Sequence, residues 1–458
     1  MTKRVVLLSA PGLREQDLAH MPALTGLMAA GERASLSAAF PAVTCPVQVG
    51  MTTGCPPDDH GVVANGFFWR DRGEVEMWTA WNEAVQRPQL WDRLHEIDPA
   101  ITSAVWFPLL AKGCGADYVC TPAPIHNPDG SESLWCYTKP QAMYGELRDA
   151  LGHFPLKHFW GPMAGIPATE WIVDSAVHCA HEYEPRFFYI YLPHLDYASQ
   201  KYGPDSPEAV AACSELDTQI AKLADGCRAA YGADPLWIVA SEYAISPVDH
   251  VAYPNRVLRE AGLLAVTTDD DGREQLDFVG SQAWALVDHQ FSHVFVKDND
   301  PAITARVVDL FTGGDGIAEV LDAEGKRRYR LHHERSGDVV LVSTPGSWQA
   351  YYWWNDDAAA PAYARTVDIH RKPGYDPVEL FFDPAAHAAG LGPIPLDATL
   401  VRGSHGAPVV DDSQRGVLLA SDPGLLAGAD SLVGSGSVAN AGFASHDVFD
   451  LVLRAFGG

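Results

Sequence analysis

The sequence predicts an α/β fold in which a mostly parallel sheet lies between two layers of helices. Three observations support this: short apolar strands alternate with helical segments, 47% of the residues are hydrophobic, and the chain has 458 residues. Helices that join parallel strands cover both faces of a sheet, so the strands of such sheets are apolar runs. A chain of this length exceeds the usual limit for one core, which predicts an inserted unit or a second domain.

Strand and helix patterns follow one another along most of the chain. Val5–Ser9 is a β-branched apolar run that ends at Pro11-Gly12, as a buried strand followed by a turn does. Further strands are predicted at 102–107, 187–192, 236–240 and 416–420, and helices at 21–30, from 44 onward, and at 91–96, 170–182, 206–231, 254–261 and 446–456. Ligands of open α/β sheets bind beyond the carboxyl ends of the strands, so the functional site is expected in the loops after these strands.

Two stretches interrupt this alternation. Residues 110–165 are rich in Pro, Gly, Trp and Cys, which is typical of an insertion or a lid. Residues 264–350 contain three strand patterns and a helix pattern, which predict a small α+β subdomain. The α/β core is therefore expected to comprise residues 1–263 and 351–458, with the lid inserted into its first part.

The charges and the cysteines exclude several classes of partner and site. The formal net charge is −27, and nucleic acids and anionic membranes need Lys and Arg, so neither is an expected partner. A small anion can still bind where a metal ion or a helix N-terminus reverses the local field. The eight Cys are scattered without a Cys-x-x-Cys pair, which is typical of reduced thiols and predicts a cytoplasmic protein. No apolar run approaches the ~18 residues that span a bilayer.

One segment, Phe40–Gly54, carries the first candidate for chemistry. Thr44 stands between an apolar run and a helix pattern. Because the N–H groups at a helix N-terminus bind phosphate, its hydroxyl is a candidate nucleophile or phosphate contact, with a plain helix N-cap as the alternative role. Asn65, which follows in His60-Gly61-Val-Val-Ala-Asn65, is either a turn residue or a ligand contact.

The order and spacing of four motifs resemble the alkaline phosphatase superfamily, and most of all its nucleotide pyrophosphatase/phosphodiesterase branch. The motifs are Phe-Pro-x-x-Thr at 40–44, His-Gly-x-x-x-Asn at 60–65, Tyr-x-Pro-x-x-Asp…Gly-Pro at 191–204 and Gly-x-His-Gly at 403–406. The resemblance covers most of the chain. It implies hydrolysis of a phosphodiester or pyrophosphate-type bond, with Thr44 as nucleophile and Asn65 as phosphate contact. It also implies two zinc ions, one to activate the hydroxyl and one to stabilise the leaving group.

The metal ligands that the resemblance implies are only partly present. Asp196 and His405 match by residue type, and Glu242 stands in place of an aspartate. An aspartate and two histidines of the family are replaced by other residues: Pro11, Gln200 and Tyr243. A complete two-zinc site is therefore not expected. The prediction is a divalent metal, zinc by the resemblance, bound as one or two ions in a rebuilt site.

Four other histidines are candidates to replace the missing ligands. His289 and His293 share a face if their segment is helical, although the flanking residues have a strand pattern. His194-Leu-Asp196 and Asp368-Ile-His370 each place two donors on one side of an extended chain. A structural role is the more frequent one for any single histidine.

Three further residues are candidate substrate contacts. Arg371 and Lys372 form a basic pair in a loop after a strand, where they contact an anion or lie solvated at the surface. Tyr243 either donates a hydrogen bond to a phosphate or fills the space of the missing ligand.

Two functions follow from these residues. The first is a metal-dependent phosphoester hydrolase that uses Thr44 on a small phosphorylated substrate. The second is a catalytically diverged or non-hydrolytic relative that binds a phosphorylated metabolite, and the three lost ligands motivate it. A third function is a carbohydrate or lipid-head-group transferase, but no residue of the sequence specifically indicates it.

Overall fold

A computed structural model describes residues 3–126, 132–427 and 442–457 of the chain. The helices are α1 Pro22–Leu27, α2 Thr44–Thr53, α3 Pro57–His60, α4 Leu90–Ile97, α5 Met143–Leu151, α6 Ile166–Tyr183, α7 His194–Tyr202, α8 Pro207–Tyr231, α9 Pro254–Glu260, α10 Pro301–Phe311, α11 Ala323–Arg328, α12 Pro384–Ala388 and α13 Asp447–Phe456. The strands are β1 Val5–Ser9, β2 Glu32–Ser37, β3 Gly66–Trp69, β4 Glu74–Met77, β5 Ser103–Trp106, β6 Tyr118–Pro122, β7 Ile125–His126, β8 Glu132–Ser133, β9 Cys136–Lys139, β10 Phe187–Tyr191, β11 Leu236–Ala240, β12 Ser246–Pro247, β13 His250–Ala252, β14 Val266–Thr268, β15 Glu274–Leu276, β16 Ala283–Asp288, β17 Phe291–Val296, β18 Ile317–Leu321, β19 Val339–Ser343, β20 Ser347–Gln349, β21 Gly403–Ser404, β22 Gly416–Ala420 and β23 Phe443–Ala444.

A nine-stranded sheet forms the centre of the fold, in the order β23-β2-β22-β11-β1-β10-β5-β6-β9. The five strands from β11 to β6 run parallel, whereas β22 is antiparallel to both of its neighbours and β9 is antiparallel to β6. The predicted fold class, a mostly parallel sheet between helices, is confirmed. No helix among the described residues is long and apolar enough to cross a membrane.

Alternate side chains of the central strands enter two different hydrophobic cores. Val6 and Leu8 of β1 pack in one cluster with residues of α6 and α8. Val5 and Leu7 pack in another cluster with residues of α2, α4 and α13. Because successive side chains of a strand point to opposite faces, a strand covered on both sides needs an uninterrupted apolar run. Val5–Ser9 is such a run, and all five of its residues are buried.

The interval 110–165, expected as an insertion or a lid, contributes to the central sheet. Strands β6 and β9 extend that sheet beyond β5, and α5 packs against α6. The reason is visible in the sequence of β6, where Val119 and Cys120 are buried and pair with Val105 and Trp106 of β5. Residues 127–131, which belong to the same interval, lie outside the described residues.

A second, antiparallel sheet with the order β16-β17-β19-β18 lies within the interval 264–350 and is accompanied by α10 and α11. This agrees with the α+β character predicted for these residues. Its hydrophobic cluster also contains residues from outside the interval, including Val248, Leu258, Trp353 and Tyr375. Packing is thus continuous across position 350, and the predicted domain boundaries stay a prediction.

Three local conformations differ from the sequence prediction. His194 and Asp196 lie in the first turn of α7 and not on an extended chain. His289 occupies the turn between β16 and β17 with a φ of 58°, and His293 lies on β17, so the two do not share a helical face. His370 lies in a turn. The positions of these candidate ligands therefore depend on turns and on tertiary packing. They do not follow from the residue spacing within one helix or strand.

Gly403 brings β21 close to α7, the helix that carries Asp196. A Cβ atom at this position would lie 2.2 Å from the carbonyl oxygen of Ser199. We expect Gly403→Ala to lower the free energy of unfolding by about 1–3 kcal/mol, because two backbone segments must separate. The matched control is Gly26→Ala in the exposed part of α1, where the new Cβ meets nothing within 4 Å and should be neutral or stabilising by about 0.5–1 kcal/mol. Urea unfolding measures both values, and equal stability of the two variants would contradict this interpretation.

Candidate active site

The candidate site lies beyond the carboxyl ends of β1, β10 and β11, where α2 begins. The backbone of the loop after β11 is fixed to the turn after β1, because Gly12 N donates to the carbonyl oxygen of Tyr243 at 2.9 Å. The polar residues of this region are buried, with Thr44 4% and Asp196 7% exposed. This is the edge of the sheet at which the sequence predicts function.

Thr44 is the first residue of α2 and does not act as its cap. The N-cap is Val43, so the N-cap role considered for Thr44 is wrong. The Thr44 hydroxyl instead lies 3.0 Å from the Tyr243 hydroxyl. Tyr243 in turn donates to Oδ2 of Asp196 at 3.2 Å. Three residues from separate segments therefore form one hydrogen-bonded chain, with Thr44 at the helix N-terminus.

Glu242 is a neighbouring carboxyl group with its own partners. Its Oε1 accepts hydrogen bonds from the Ser9 hydroxyl at 2.5 Å and from Nε2 of Gln48 at 2.7 Å. Its Oε2 is buried without a partner. Ser9 ends β1 and Gln48 lies on α2, so Glu242 connects the strand to the helix that carries Thr44.

Asn65 fixes the N-terminus of α2 from the opposite direction. Its Oδ1 accepts the N–H of Cys45 at 2.9 Å, and its Nδ2 donates to Oδ1 of Asp288 at 3.1 Å. The N–H of Asn65 donates to the other oxygen of Asp288 at 2.8 Å. Asn65 is thus a buried link between α2 and β16, and one amide hydrogen is left for a ligand. Its predicted role as phosphate contact stays a prediction.

Four aromatic rings lie in a row beside Thr44 and form what is called here the ring column: Tyr243, His405, His289 and Tyr375. Successive ring centroids lie 3.6, 3.9 and 3.6 Å apart. Each histidine stacks on its tyrosine, within 7° and 13° of parallel, whereas the two histidine rings are tilted by 45°. The two outer hydroxyls bond Asp196, as described above, and Oε1 of Gln200 at 2.6 Å. The column therefore includes His405 and is hydrogen-bonded to Asp196 and Gln200, which are two further positions of the implied metal site.

The two histidines of the ring column are neutral. Burial lowers the pKa of His405 and of His289 well below the ordinary value. His405 Nδ1 lies 2.7 Å from the carbonyl oxygen of Ala42. Since a carbonyl oxygen only accepts, Nδ1 carries the proton, and the lone pair is on Nε2, which is buried without a partner. His289 Nδ1 lies 2.6 Å from Oδ1 of Asp288.

Burial also raises the pKa of the carboxyl groups. The pKa of Asp196 is raised to about 7, that of Glu242 to about 8 and that of Asp288 to about 6, and desolvation is the largest cause in each case. Hydrogen bonds from Tyr243 and from Ser9 and Gln48 oppose the shift at the first two groups but do not cancel it. Near neutral pH, Asp196 is therefore poised between its acid and its base form, as a general base must be.

Two candidate histidines have structural partners. Nε2 of His293 donates to the carbonyl oxygen of Val63 at 3.0 Å, and Nδ1 accepts the N–H of Gly337 at 3.1 Å, so both ring nitrogens are used. Nε2 of His194 lies 2.8 Å from Oε2 of Glu215 on α8. Neither ring belongs to the ring column.

The remaining candidates, at 370–372, lie in two different environments. Nδ1 of His370 lies 3.1 Å from the carbonyl oxygen of Met77. His370 and exposed Arg371 line a surface pocket of about 330 Å³ whose lining includes none of the residues around Thr44. Lys372 is 1% exposed, and its ammonium group lies 2.8 Å from Asp376 and 2.6 Å from Glu379. Both partners of this ammonium group are carboxylates of its own loop, and the prediction that Lys372 contacts substrate stays a prediction.

The donors of this chain do not fit a two-zinc centre. Among the residues that the structure describes, no three His, Cys, Asp or Glu side chains are grouped so that they could hold a metal ion. Gln200, Glu242 and Asp196 each have one oxygen with a partner within the protein: Oε1 of Gln200 is bonded to Tyr375, Oε1 of Glu242 to Ser9 and Gln48, and Oδ2 of Asp196 to Tyr243. Oε2 of Glu242, Oδ1 of Asp196 and Nε2 of His405 are buried without a partner. Zinc needs four well-placed donors in a structural site and three in a catalytic one.

Four residues of the site were not among the predicted site residues: Ser9, Gln48, Asp288 and Tyr375. Ser9 is the last residue of β1 and Tyr375 lies in a loop. Polar site residues are expected at such places, so both could have been predicted from their position in the sequence. Gln48 follows Thr44 by four residues, which places both on one face of α2. Asp288 carried no signal, because its role depends on the contact between β16 and the loop that carries Asn65.

Solved structures of low sequence identity share the fold over almost the whole chain. One is phosphonoacetate hydrolase from Sinorhizobium meliloti in complex with phosphonoformate, with a TM-score of 0.61, 19% identity, and coverage of 99% of this chain and 96% of that chain. Another is murine ectonucleotide pyrophosphatase/phosphodiesterase 5, with a TM-score of 0.59, 14% identity, and coverage of 99% and 95%. An inactive threonine-to-alanine variant of the murine protein in complex with AMP matches equally well.

Sequence comparison gives the family. An uncharacterized pyrophosphatase/phosphodiesterase of Schizosaccharomyces pombe is 23% identical over 228 residues, which span 49% of this chain and only 41% of that relative. Residues 5–376 match the family model of Type I phosphodiesterase/nucleotide pyrophosphatase. The chain therefore belongs to this family of phosphoester hydrolases, within the alkaline phosphatase superfamily.

Proposed function

We propose that this protein hydrolyses a small phosphoester of the phosphodiester or pyrophosphate type, with Thr44 as the nucleophile. One observation carries the proposal: the Thr44 hydroxyl is at the N-terminus of α2 and is hydrogen-bonded to Tyr243, which is bonded to Asp196. A helix N-terminus favours negative charge, and a hydroxyl next to a base is the usual form of an activated nucleophile.

The comparisons support the class of substrate. The murine relative is described in an inactive form that lacks a threonine and binds AMP, and the bacterial relative is described with phosphonoformate. Both ligands are small and carry phosphorus and negative charge. With a net charge of −27, the chain is proposed to bind a small phosphorylated substrate, with no nucleic acid or membrane as partner. A cytoplasmic location stays a prediction, in keeping with eight cysteines that are all free.

A covalent intermediate is the direct test of the nucleophile. The protein is mixed with bis-p-nitrophenyl phosphate or with the p-nitrophenyl ester of AMP, quenched with acid during turnover, and digested. We expect a phosphodiester adduct on the peptide that contains Thr44, in which phosphorus keeps its p-nitrophenyl or adenosine group, and none in Thr44→Ala. Turnover by the wild-type protein with no adduct, together with full turnover by Thr44→Ala, would reject Thr44 as nucleophile.

The second candidate function is binding of a phosphorylated metabolite without turnover. The observation that favours it is the ring column, whose two tyrosines form hydrogen bonds with Asp196 and Gln200, two positions of the implied metal site. Calorimetric binding of AMP with no release of product, unchanged by chelator, would support binding alone. Release of p-nitrophenol that scales with enzyme concentration and is lost in Thr44→Ala would exclude it.

A further inference from the structure

We propose that Tyr243 and Asp196 replace a metal ion as the group that activates Thr44, so that this site works without a bound metal. The inference rests on the proposed function, since it assigns the acceptor of the Thr44 proton. It follows from the disagreement between the ligand set that the family implies and the contacts that this chain makes.

The first step of the argument is the position of the Tyr243 hydroxyl. It lies between the candidate nucleophile, at 3.0 Å, and a retained carboxylate of the implied metal site, at 3.2 Å. The stacking of Tyr243 on His405 at 3.6 Å, within 7° of parallel, holds the phenol in this place. The side chain that replaces the lost histidine thus joins Thr44 to Asp196 by hydrogen bonds, and does more than fill space.

The second step concerns the direction of the hydrogen bonds. A tyrosine hydroxyl has one proton, and Tyr243 donates it to Asp196. The Thr44 hydroxyl must then donate to the oxygen of Tyr243. Both protons of the chain therefore point from Thr44 towards Asp196, which is the direction that deprotonation of the nucleophile requires.

The chemical step balances within these residues. The Thr44 oxygen forms a bond to phosphorus while its proton passes to Tyr243 and the Tyr243 proton passes to Asp196; the bond from phosphorus to the leaving oxygen breaks. Asp196, which now carries this proton on Oδ2, then returns it to the leaving oxygen. In the second half, water attacks the phosphothreonine, gives one proton to Asp196, and Thr44 regains a proton by the reverse path. No oxidant, reductant or further reactant is needed.

The third step is the electrostatic environment of Asp196. Among the described residues, five titratable groups interact electrostatically with Asp196. They are four tyrosines and one carboxyl group: Tyr191, Tyr197, Tyr243, Tyr375 and Glu242. None of these groups is a cation. A carboxylate in such surroundings is a stronger base than one beside a lysine, an arginine or a metal ion. The same surroundings would leave a dianionic phosphate without a partner, so a monoanionic phosphodiester is the substrate that suits the site.

The first measurement is the metal content of the wild-type protein. The protein is incubated with excess zinc, freed of unbound ions by gel filtration and measured by elemental analysis, with thermal unfolding in zinc and in EDTA as a second readout. We expect far less than one zinc ion per chain and the same Tm in both conditions. One or more zinc ions per chain, with turnover lost in EDTA and restored by zinc, would overturn this inference and leave the hydrolase function intact.

The second measurement uses Tyr243→Phe, which removes the hydroxyl and keeps the ring that stacks on His405. We expect a fall in kcat of about 10²-fold or more, as for loss of a general base, with an unchanged KM. Tyr352→Phe is the matched control, because this tyrosine is also fully buried, its hydroxyl has no hydrogen-bond partner, and it lies in another hydrophobic cluster. Equal kcat for Tyr243→Phe and the wild-type protein would reject the role of Tyr243. Complete absence of turnover in the wild-type protein would instead reject the proposed hydrolase function, while the metal content still tests the metal-free site.

The third measurement uses Asp196→Asn, whose side chain cannot accept the proton. We expect kcat to fall by about 10²-fold or more, as for loss of a general base. An Asp196→Asn variant with the kcat of the wild-type protein would reject Asp196 as the proton acceptor.

Discussion

Thr44→Ala is expected to lower kcat by about 10⁴-fold or more on any phosphoester that the wild-type protein hydrolyses. This corresponds to about 5 kcal/mol of lost transition-state stabilisation. The reason is that a covalent pathway has no substitute for its nucleophile, and the residual rate then comes only from binding and electrostatics. Thr44→Ser keeps the hydroxyl and should keep kcat within about tenfold.

The control for Thr44 is another buried threonine of α2. The Thr53 hydroxyl donates to the carbonyl oxygen of Val49 at 2.7 Å and has no contact with Tyr243. Thr53→Ala should cost about 1 kcal/mol of stability and leave kcat unchanged. Steady-state kinetics of the three variants at equal folded concentration decide the matter. Similar kcat values for Thr44→Ala and Thr53→Ala would show that Thr44 has only a structural role.

Lys372→Met is expected to lower the free energy of unfolding by about 3–5 kcal/mol. The ammonium group of Lys372 is paired with Asp376 and Glu379, and all three side chains are at most 2% exposed. Burial lowers the pKa of Lys372, but the two carboxylates outweigh burial and raise it, so the lysine is charged in the folded protein. Removing it leaves two buried carboxylates without a cation, which is costly.

The neighbouring residue provides the control. Arg371 is exposed and lies 3.6 Å from Asp368, and Arg371→Met should change the free energy of unfolding by less than about 0.5 kcal/mol, as exposed pairs contribute little. Urea unfolding measures both variants.

The loss of unfolding free energy caused by Lys372→Met should become smaller as the pH falls from about 8 to about 5. Burial raises the pKa of Glu379 above its value in the unfolded chain, and without the opposing charge of Lys372 it is raised further. A group of this kind destabilises the folded state at high pH and ceases to do so once it is protonated. A deficit that does not change with pH would indicate lost packing and not unpaired charge.

Lys372 also links the stability of its loop to the geometry of the candidate active site. Glu379 accepts from Nε1 of Trp160 at 2.5 Å as well as from Lys372. The loop held in this way carries Tyr375, which stacks on His289 and donates to Gln200. The buried ion cluster therefore positions one end of the ring column, a role that differs from the substrate contact predicted for this lysine.

The fold was predictable from the sequence because its signals are local. Val5–Ser9, Phe187–Tyr191 and Leu236–Ala240 are short apolar runs, and each is a central strand of the sheet. The start of α2 at Thr44 was equally local, since it follows from the change of pattern after Phe40. The interval 110–165 is predicted to be an insertion or a lid, because its Pro and Gly residues obscure two short strands at one side of the sheet, β6 and β9.

The sequence by itself determined the fold class, the family, and the place of Thr44 at a helix N-terminus beyond the central strands. It also showed that three of the implied metal ligands are absent. Only the tertiary structure decided what stands in their place: Tyr243 between Thr44 and Asp196, the stacked histidines, and a lysine enclosed by carboxylates. The physical reason is that backbone patterns depend on neighbours along the chain. The partner of a buried polar side chain depends on which distant segments pack against it, as residues 44, 196 and 243 do here.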